Sequence, residues 1–203
     1  MTKIETQALD RYTDAVRKET VRTLDNLDTK ALDKAAKLIN NAKKQGNRVH
    51  VSGIGKPGHI AGYIASLLSS TGTGSYFLHG TEAVHGSCGQ LQEGDIVIFI
   101  SNSGETAEMK ATVAAIKNNG CKVIGVSGNP SSWLAKESDV HLTAHIEEEG
   151  GPLNRAPRTS ILSETIVLQA LSVILQQDAD IDPKTYVKWH PGGSLGKLRE
   201  GEA

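Results

Sequence analysis

The segment DIVIFISNSGETAE, residues 95–108, decides the fold expected for this chain. Its first part, IVIFI at 96–100, is apolar at every position, which is typical of a strand covered by helices on both faces of a parallel sheet. Directly after it, where a helix begins, come three hydroxyls, one amide and one glycine: Ser101, Ser103, Thr106, Asn102 and Gly104. An ordinary helix cap needs only one hydroxyl. Because the first amides of a helix point at an anion bound there, the segment predicts a phosphate-binding loop.

Strand-like and helix-like segments alternate on both sides of this stretch. The β-prone runs lie at 48–53, 75–79, 95–101, 122–127 and 140–144, and the helix-like segments lie at 58–70, 105–119, 131–137 and about 160–177. Two more segments with apolar residues at helical spacing, 5–24 and 27–45, precede the first strand. This alternation predicts an α/β fold with right-handed crossovers and a five-stranded parallel sheet. Ligands of such sheets bind beyond the carboxyl ends of the strands, so the loops there are the candidate site.

Length and composition favour one soluble domain. The 203 residues, 38% of them hydrophobic, suffice for one sizeable core, and no linker separates two domains. We expect N-terminal helices in 1–45, an α/β core in 46–178 and a C-terminal tail in 179–203. The formal net charge is -1 and the basic residues are spread along the chain, which argues against nucleic acid as a partner. The N-terminus lacks a signal peptide's apolar core and the longest apolar run is strand-sized, which argues against a membrane partner and favours a cytoplasmic location.

The turn after the first strand reads GIGKPGH and allows three interpretations. Gly53, Gly55 and Gly58 match a G-x-G-x-x-G dinucleotide fingerprint, but the acidic residue expected at the end of the second strand is missing, because SYFL runs into His79. Glycines also permit a tight strand-to-helix turn without any ligand. The third interpretation is a sugar- or phosphate-binding turn, with Lys56 at its tip acting as a point charge toward an oxyanion.

Several motifs together resemble a known family. SNSGET is similar to the signature of the SIS, or sugar isomerase, domain family. The resemblance extends to the arabinose-5-phosphate isomerase branch through GIGKPGHIA, STGTGSYFLHGTEAVHGSCG, EEEGGPL and HPGGSLGK, and it covers about residues 45–200. HPGGSLGK is the most specific of these motifs, because SIS domains in general share SNSGE-like loops but not this one. The resemblance implies a three-layer SIS sandwich, in a short form without the paired CBS modules of longer members.

The resemblance also implies an aldose–ketose isomerisation of D-ribulose 5-phosphate and D-arabinose 5-phosphate through a cis-enediol, without a cofactor, for Kdo, lipopolysaccharide or capsule synthesis. The positions that match the family's catalytic residues are Lys56, His85, Glu108, Glu149 and His190. The turn after the first strand adds candidate substrate-binding positions, namely Ser52, Gly53 and Gly55. Either Glu108 or Glu149 is expected to be the base that moves the proton between C1 and C2, and the sequence does not choose between them.

The remaining catalytic positions have expected roles as well. Lys56 suits the enediolate oxygen or a hydroxyl, and His85 and His190 suit ring opening or proton relay. Proline after His190 biases that residue toward an extended backbone, and the two glycines that follow permit a sharp turn. The resemblance implies that this corner holds the imidazole over the active site of a neighbouring subunit in a homotetramer. The helices in 5–45 and the tail are then expected to reach across subunits.

The other histidines and the cysteines are expected to be structural. A lone histidine usually belongs to the packing, and we interpret His50, His141 and His145 in this way, whereas His59 and His79 stay open. The two cysteines, Cys88 and Cys121, lack metal-ligand or CxxC spacing and are expected to be free thiols. No HxxH or HExxH spacing is present, so we expect no metal in the reaction.

Two other functions are compatible with parts of the sequence. A sugar-phosphate-sensing module would need the phosphate loop but not the whole catalytic set, and an SIS isomerase acting on another substrate, such as hexulose 6-phosphate, would be expected to lack HPGGSLGK. One stretch departs from the family: APRTS places Arg158 beside Asn154 and Arg155, where longer members carry a Thr-Ser run. An arginine there could contact a second anion, which suits a different sugar phosphate or an anionic regulator such as a nucleotide sugar.

Overall fold

The computed structural model describes residues 3–202, so Met1, Thr2 and Ala203, at the ends of the predicted N-terminal and tail segments, lie outside the described residues. In chain order the helices and strands are α1 (Lys3–Asp25), α2 (Thr29–Lys44), β1 (Val49–Gly53), α3 (Lys56–Ser70), β2 (Ser75–His79), β3 (Ile96–Ile100), α4 (Ala107–Asn118), β4 (Lys122–Ser127), α5 (Trp133–Glu137), β5 (Val140–Thr143), α6 (Thr159–Asp178) and α7 (Pro183–Trp189). Short 3-10 helices lie at Glu82–His85, Ser87–Gln90 and Ser194–Gly196.

The five strands form one parallel sheet in the order β2-β1-β3-β4-β5. At the carboxyl edge, Gly53 pairs with Ile100 of β3 and with His79 of β2, so the loops after these three strands begin side by side. All five residues of β3 are buried, as IVIFI predicts for a central strand. The predicted α/β fold with a five-stranded parallel sheet is therefore confirmed.

Alternating residues of the central strands contribute to two separate hydrophobic clusters. On one face Ile96, Ile98 and Ile100 pack with the buried sides of α2, α3 and α6. On the other face Val97 and Phe99 pack with α4 and α5. The result is the three-layer arrangement that the all-apolar strand predicts. Helix α1 lies outside these layers against α6, where Thr23 Oγ1 donates a hydrogen bond to Ser163 Oγ at 3.0 Å.

Helix α6 is long and apolar enough to span a membrane by length and composition, but half of that span is buried inside the protein. It packs against α1, α2 and α3, and its residues Val167, Leu168 and Leu171 belong to the core of the domain. These contacts are those of the core helix of a globular domain. The apolar character of α6 is therefore explained by packing against the sheet and the neighbouring helices.

The tail contains a helix that the sequence patterns did not predict. Asp182 Oδ1 accepts a hydrogen bond from Thr185 N at 2.6 Å and Pro183 occupies the first turn, which together start α7. Just before it, Ile181 packs directly against Gly72, at the end of α3. Because α3 runs antiparallel to the strands, this contact places α7 at the amino edge of the sheet, opposite the candidate site.

Candidate active site

The loop between β3 and α4 forms a tight turn at the carboxyl edge of the sheet. Gly104 has a φ of 63°, a left-handed conformation that other residues rarely adopt, and its N–H donates to Ser101 O at 3.1 Å. Ser103 Oγ accepts a hydrogen bond from Glu105 N at 3.3 Å. Thr106 is the N-cap of α4, yet its side chain makes no hydrogen bond to the first amides of the helix. These amides are therefore not occupied by a side-chain cap and can face an anion.

A pocket of about 240 Å³ opens between this loop and the turn after β1. Polar groups of the loop form one wall, and apolar side chains from the turn after β1, from α3, from β3 and from α4 close it. The complete lining is Ile54, Pro57, Phe99, Ser101, Asn102, Ser103, Thr106 and Met109. The structure thus brings together four of the five predicted loop residues around one cavity. A phosphate group bound there would meet three hydroxyls, one amide and the start of α4.

The glycines of the turn after β1 have different roles. A Cβ atom on Gly53 would lie 2.8 Å from the carbonyl carbon of Pro57, and one on Gly58 would lie 2.8 Å from Gly53 O. These two glycines are required by close backbone packing between strand and helix. Gly55 has a φ of 66° and free space beside its Cα, and it caps α3 without a side-chain hydrogen bond. The adjacent Lys56, the first residue of α3, is exposed.

A second pocket, of about 390 Å³, adjoins the first, and the two share Ile54. It is lined by Gly53, Ile54, Gly55, Gly58, His59, Phe77, His79 and Thr81. His79 Nδ1 lies 3.1 Å from Thr81 Oγ1, which fixes the ring at the mouth of the pocket. Both histidines that the sequence left open therefore line this cavity. Ser52 lies just below the turn; its Oγ is buried and has no hydrogen-bond partner among the described residues.

The two candidate bases are held in different ways. Glu108 is exposed in the first turn of α4, on the helix that begins at the phosphate loop. Glu149 is only 7% exposed and its carboxylate accepts hydrogen bonds from Arg158 N at 2.6 Å, from Ser160 Oγ at 2.6 Å and from Ser160 N at 3.2 Å. Glu149 thus caps the N-terminus of α6. Its own loop is closed by Asn154, whose Oδ1 accepts from Glu149 N at 2.6 Å.

A buried carboxyl that the sequence did not single out lies one turn further along α6. Glu164 has no exposed surface, and neither of its carboxyl oxygens has a hydrogen-bond partner among the described residues. Burial and, to a smaller extent, the neighbouring Glu149 carboxylate raise the pKa of Glu164 to about 8. The carboxyl is therefore largely protonated at pH 7. The only signal in the sequence was its place as an acidic residue in a helix segment that is rich in Leu, Ile and Val.

The structure separates the two catalytic histidine candidates from each other. His85 ends the 3-10 helix after β2 and is exposed near the carboxyl edge. His190 follows α7 at the opposite edge, where its ring stacks on Tyr186 at 4.0 Å between centroids and its Nδ1 lies 2.8 Å from Tyr186 O. A groove of about 360 Å³ at that edge is formed by α7, the tail and Thr71. Within one chain, His190 is therefore not brought to the phosphate pocket.

Three further histidines have contacts within the packing. His50 Nε2 lies 3.1 Å from Asp95 Oδ2 with both side chains buried, and burial lowers the pKa of His50 although Asp95 opposes the change. His141 Nε2 lies 2.8 Å from Ser127 Oγ, and His145 Nδ1 lies 3.0 Å from a backbone carbonyl. Across the part of the chain that the structure describes, no three His, Cys, Asp or Glu side chains come together as a metal site.

The fold and the two pockets define the class of protein. A parallel α/β sheet whose central strand ends in a hydroxyl-lined loop and an uncapped helix N-terminus has the arrangement that is typical of phosphate-binding α/β domains. This chain belongs to the SIS domain family, which it matches over residues 43–174. The resemblance predicted from the motifs is confirmed.

Relatives and solved structures extend this similarity over most of the chain. The chain is 35% identical over 179 residues to the arabinose 5-phosphate isomerase KdsD of Francisella tularensis, covering 88% of this chain and 55% of that protein. It is 40% identical over 164 residues to the enzyme of the same name from Pseudomonas aeruginosa, covering 81% of this chain and 49% of that protein. The chain thus spans about half the length of the curated relatives it matches.

Similarity to one solved structure covers both chains almost completely. The structure of the E. coli CFT073 protein c3406, solved in complex with arabinose 5-phosphate, superposes with a TM-score of 0.82 at 32% sequence identity. The match covers 94% of this chain and 100% of that chain. The overall fold is therefore shared with a protein that has been solved with this sugar phosphate bound.

Proposed function

We propose that this chain is an aldose–ketose isomerase that interconverts D-ribulose 5-phosphate and D-arabinose 5-phosphate through a cis-enediol. The observation that carries the proposal is the pair of adjoining pockets at the carboxyl edge, one lined by the phosphate loop and the other by His59 and His79. A five-carbon sugar phosphate needs such a division, because its phosphate and its reacting C1 and C2 lie at opposite ends. The near full-length similarity to a protein solved with arabinose 5-phosphate supports the same substrate class.

The loop residues have binding roles in this proposal. Ser101, Ser103 and Thr106 donate hydroxyl hydrogen bonds to the phosphate, Asn102 donates its amide, and Gly104 allows the backbone of the loop to turn closely around it. The first amides of α4 complete the set of donors. Ser52, Gly53 and Gly55 form the floor and turn beneath the sugar. The exposed ammonium of Lys56 stabilises the negative charge that develops on the enediolate oxygen.

The reaction moves protons without a net change in oxidation of the substrate as a whole. A base removes the proton from C2 of the aldose, and the same proton, or one from solvent, is added to C1 of the enediol. In parallel a proton passes from the C2 hydroxyl to the carbonyl oxygen at C1, which leaves the ketone at C2. His85 and His190 are suited to this transfer and to ring opening because imidazole both donates and accepts near neutral pH.

Glu108 and Glu149 are the candidates for the carbon base, and their surroundings lead to different expectations. Glu108 is exposed beside the phosphate loop, so its substitution by glutamine should leave the fold unchanged. Glu149 caps α6 by accepting hydrogen bonds from Arg158, Thr159 and Ser160, so its substitution by glutamine tests both a catalytic and a structural role. The base is the residue whose glutamine variant loses hydrogen exchange at C2 while it still binds substrate.

Completion of the site by another subunit is part of the proposal. The distance of His190 from its own phosphate pocket, at the opposite edge of the sheet, supports its use in a neighbouring subunit of a homotetramer. Exposed apolar side chains on the edge strand β2 and on α1 support the existence of subunit contacts; the most exposed are Tyr76, Phe77, Leu9, Val21 and Leu24. We further propose a cytoplasmic enzyme of Kdo synthesis for lipopolysaccharide or capsule, with the exposed Arg158 loop available to an anionic regulator.

The experiment that tests the function is a screen of pentose and hexose phosphates for aldose–ketose conversion by the purified protein. We expect conversion of arabinose 5-phosphate and ribulose 5-phosphate in both directions, and much slower or no conversion of hexose 6-phosphates. Binding of sugar phosphates without any conversion would contradict the proposal and would favour a sugar-phosphate sensor. Conversion of a hexose phosphate but of no pentose phosphate would assign the protein to another class of SIS isomerase.

A further inference from the structure

Glu105 belongs to the SNSGET loop, but its side chain does not line the phosphate pocket. The loop contributes Ser101, Asn102, Ser103 and Thr106 to that lining. A carboxylate so close to a phosphate would repel it if its charge were not compensated. The direction and the contacts of the Glu105 side chain therefore matter for the site.

The Glu105 carboxylate joins the loop to two helices. Its Oε1 accepts a hydrogen bond at 2.8 Å from the backbone N–H of Trp133, the first residue of α5. Its Oε2 accepts one at 2.8 Å from Lys110 Nζ, which lies on α4. The same ammonium lies 5.7 Å from the centre of the Trp133 ring. One side chain thus bridges the phosphate loop, the first turn of α4 and the start of α5, and Lys110 compensates its charge.

Backbone contacts reinforce the same junction. Leu134 N donates a hydrogen bond to Gly104 O at 3.1 Å, and Ala135 N donates one to Ser132 Oγ at 3.2 Å. With Trp133 N bound to Glu105, the first three amides of α5 are all taken by acceptors within the chain. The N-terminus of α4 differs, because its cap residue makes no side-chain hydrogen bond to the helix. The loop therefore binds the N-terminus of α5 and leaves the N-terminus of α4 directed toward the pocket.

Close packing holds the loop against α5 at Gly104. A Cβ atom at this position would collide with Ser132 Oγ, and the backbone there has a φ of 63°. The loop carbonyl, the Glu105 carboxylate and the α5 cap thus meet within one small contact region. Movement of Glu105 away from Trp133 would free this region and allow the phosphate-binding hydroxyls to rearrange.

We propose that Glu105 is a positioning residue that latches the phosphate-binding loop to α5. The Trp133 N–H and the Lys110 ammonium compensate the negative charge of the Glu105 carboxylate. Glu105 can therefore hold the loop hydroxyls and the α4 amides in place without repelling a bound phosphate. The inference rests on the proposed function only in taking the bound anion to be the phosphate of a sugar phosphate. Phosphate binding itself can be measured without turnover.

The test compares Glu105→Ala and Glu105→Gln with the matched control Glu137→Ala. Glu137, at the other end of α5, forms an ion pair with Lys117 of α4 at 2.6 Å, and its carboxylate is about as exposed as that of Glu105, but it does not contact the phosphate loop. Loss of a charged helix cap should raise the KM for arabinose 5-phosphate and the Kd for inorganic phosphate roughly tenfold in Glu105→Ala. The kcat should stay within about threefold of the parent, because the latch acts on binding geometry. Glu105→Gln keeps an oxygen that can accept the hydrogen bond from Trp133 N, so its KM and its phosphate Kd should lie between those of the parent and those of Glu105→Ala.

The outcomes separate the latch from the isomerase function. An unchanged phosphate Kd in Glu105→Ala would overturn the latch. Phosphate binding that is weakened equally in Glu137→Ala would overturn it too, and so would a fall in the kcat of Glu105→Ala at constant KM and Kd. If the parent binds phosphate and Glu105→Ala weakens that binding, but the parent converts no pentose phosphate, the latch stands and the isomerase proposal fails. If the parent binds no inorganic phosphate and no sugar phosphate, both are wrong. Matching circular dichroism spectra establish that the variants are folded, as the exposed position of Glu105 leads us to expect.

Discussion

Replacing Glu164 with glutamine should change how the free energy of unfolding depends on pH. Glu164 has no exposed surface, and burial, followed by the nearby Glu149 carboxylate, raises its pKa from 4.5 to about 8. Glu149 is the charged group that acts on the Glu164 carboxyl, and the buried side chains of α2 and α3 are nonpolar. In the unfolded chain the same carboxyl ionises near its ordinary pKa. Between about pH 4.5 and about pH 8 the folded protein therefore holds a proton that the unfolded chain has lost.

The sign and the size of the effect follow from this difference. The stabilisation is fully present below about pH 4.5 and is lost as the pH rises toward about 8, because only the folded state keeps the proton. Each pH unit corresponds to about 1.4 kcal/mol, so the parent loses roughly 3 kcal/mol by neutral pH and roughly 5 kcal/mol in alkaline solution. Glutamine has the shape of a protonated glutamate but does not ionise. Glu164→Gln should therefore match the parent in acid and be more stable by these amounts at higher pH.

Urea unfolding followed by circular dichroism at acidic, neutral and alkaline pH measures this difference directly. The matched control is Glu137→Gln, which removes an exposed carboxylate and should follow the parent at every pH. Curves for the parent and Glu164→Gln that stay parallel from acid to alkaline pH would refute the reasoning. A variant that is less stable than the parent at alkaline pH would refute it as well.

Three further predictions concern the loop, the tail and a buried histidine. Gly104→Ala forces a side chain into a left-handed backbone and against Ser132 Oγ, so it should weaken inorganic phosphate binding by at least about tenfold and lower the melting temperature; unchanged binding in calorimetry would contradict this. Deletion of residues 188–203 should abolish pentose phosphate conversion while the circular dichroism spectrum stays close to that of the parent, and retained activity would show that the tail only packs. Burial lowers the pKa of His50, so the unfolded chain binds more protons in mild acid and stability is lost as the pH falls below about 6.5. His50→Gln should lose less stability between neutral pH and mild acid than the parent, and an equal loss in urea unfolding would exclude His50 as the cause.

The fold could be predicted because the composition of each strand indicates whether the strand is buried. IVIFI at 96–100 has no polar position, and in the structure every one of its residues is buried between two helical layers. The helix α7 was missed because it has only seven residues and no buried residue, so it has no hydrophobic period to detect. The available signal was the Asp-Pro pair at its start, which precedes the His-Pro-Gly-Gly corner by only a few residues.

The candidate site could be predicted only in part. Motif spacing indicated which loops bind, since the carboxyl ends of neighbouring parallel strands must meet, but it did not indicate which way each side chain turns. Glu105 and Thr106 are adjacent in the sequence, yet Thr106 lines the pocket whereas Glu105 faces α5. Burial of Glu164 and the distance of His190 from its own pocket depend on packing between segments far apart in the chain, which no local pattern encodes.

The most direct test of the proposed function follows the carbon-bound hydrogens of arabinose 5-phosphate by NMR in deuterated buffer with the purified protein. An enediol mechanism predicts formation of ribulose 5-phosphate with deuterium entering at C1, and return of deuterium to C2 in the recovered aldose. Glu108→Gln or Glu149→Gln, whichever removes the base, should abolish this exchange. Sugar-phosphate binding by the parent with neither conversion nor exchange would contradict the account.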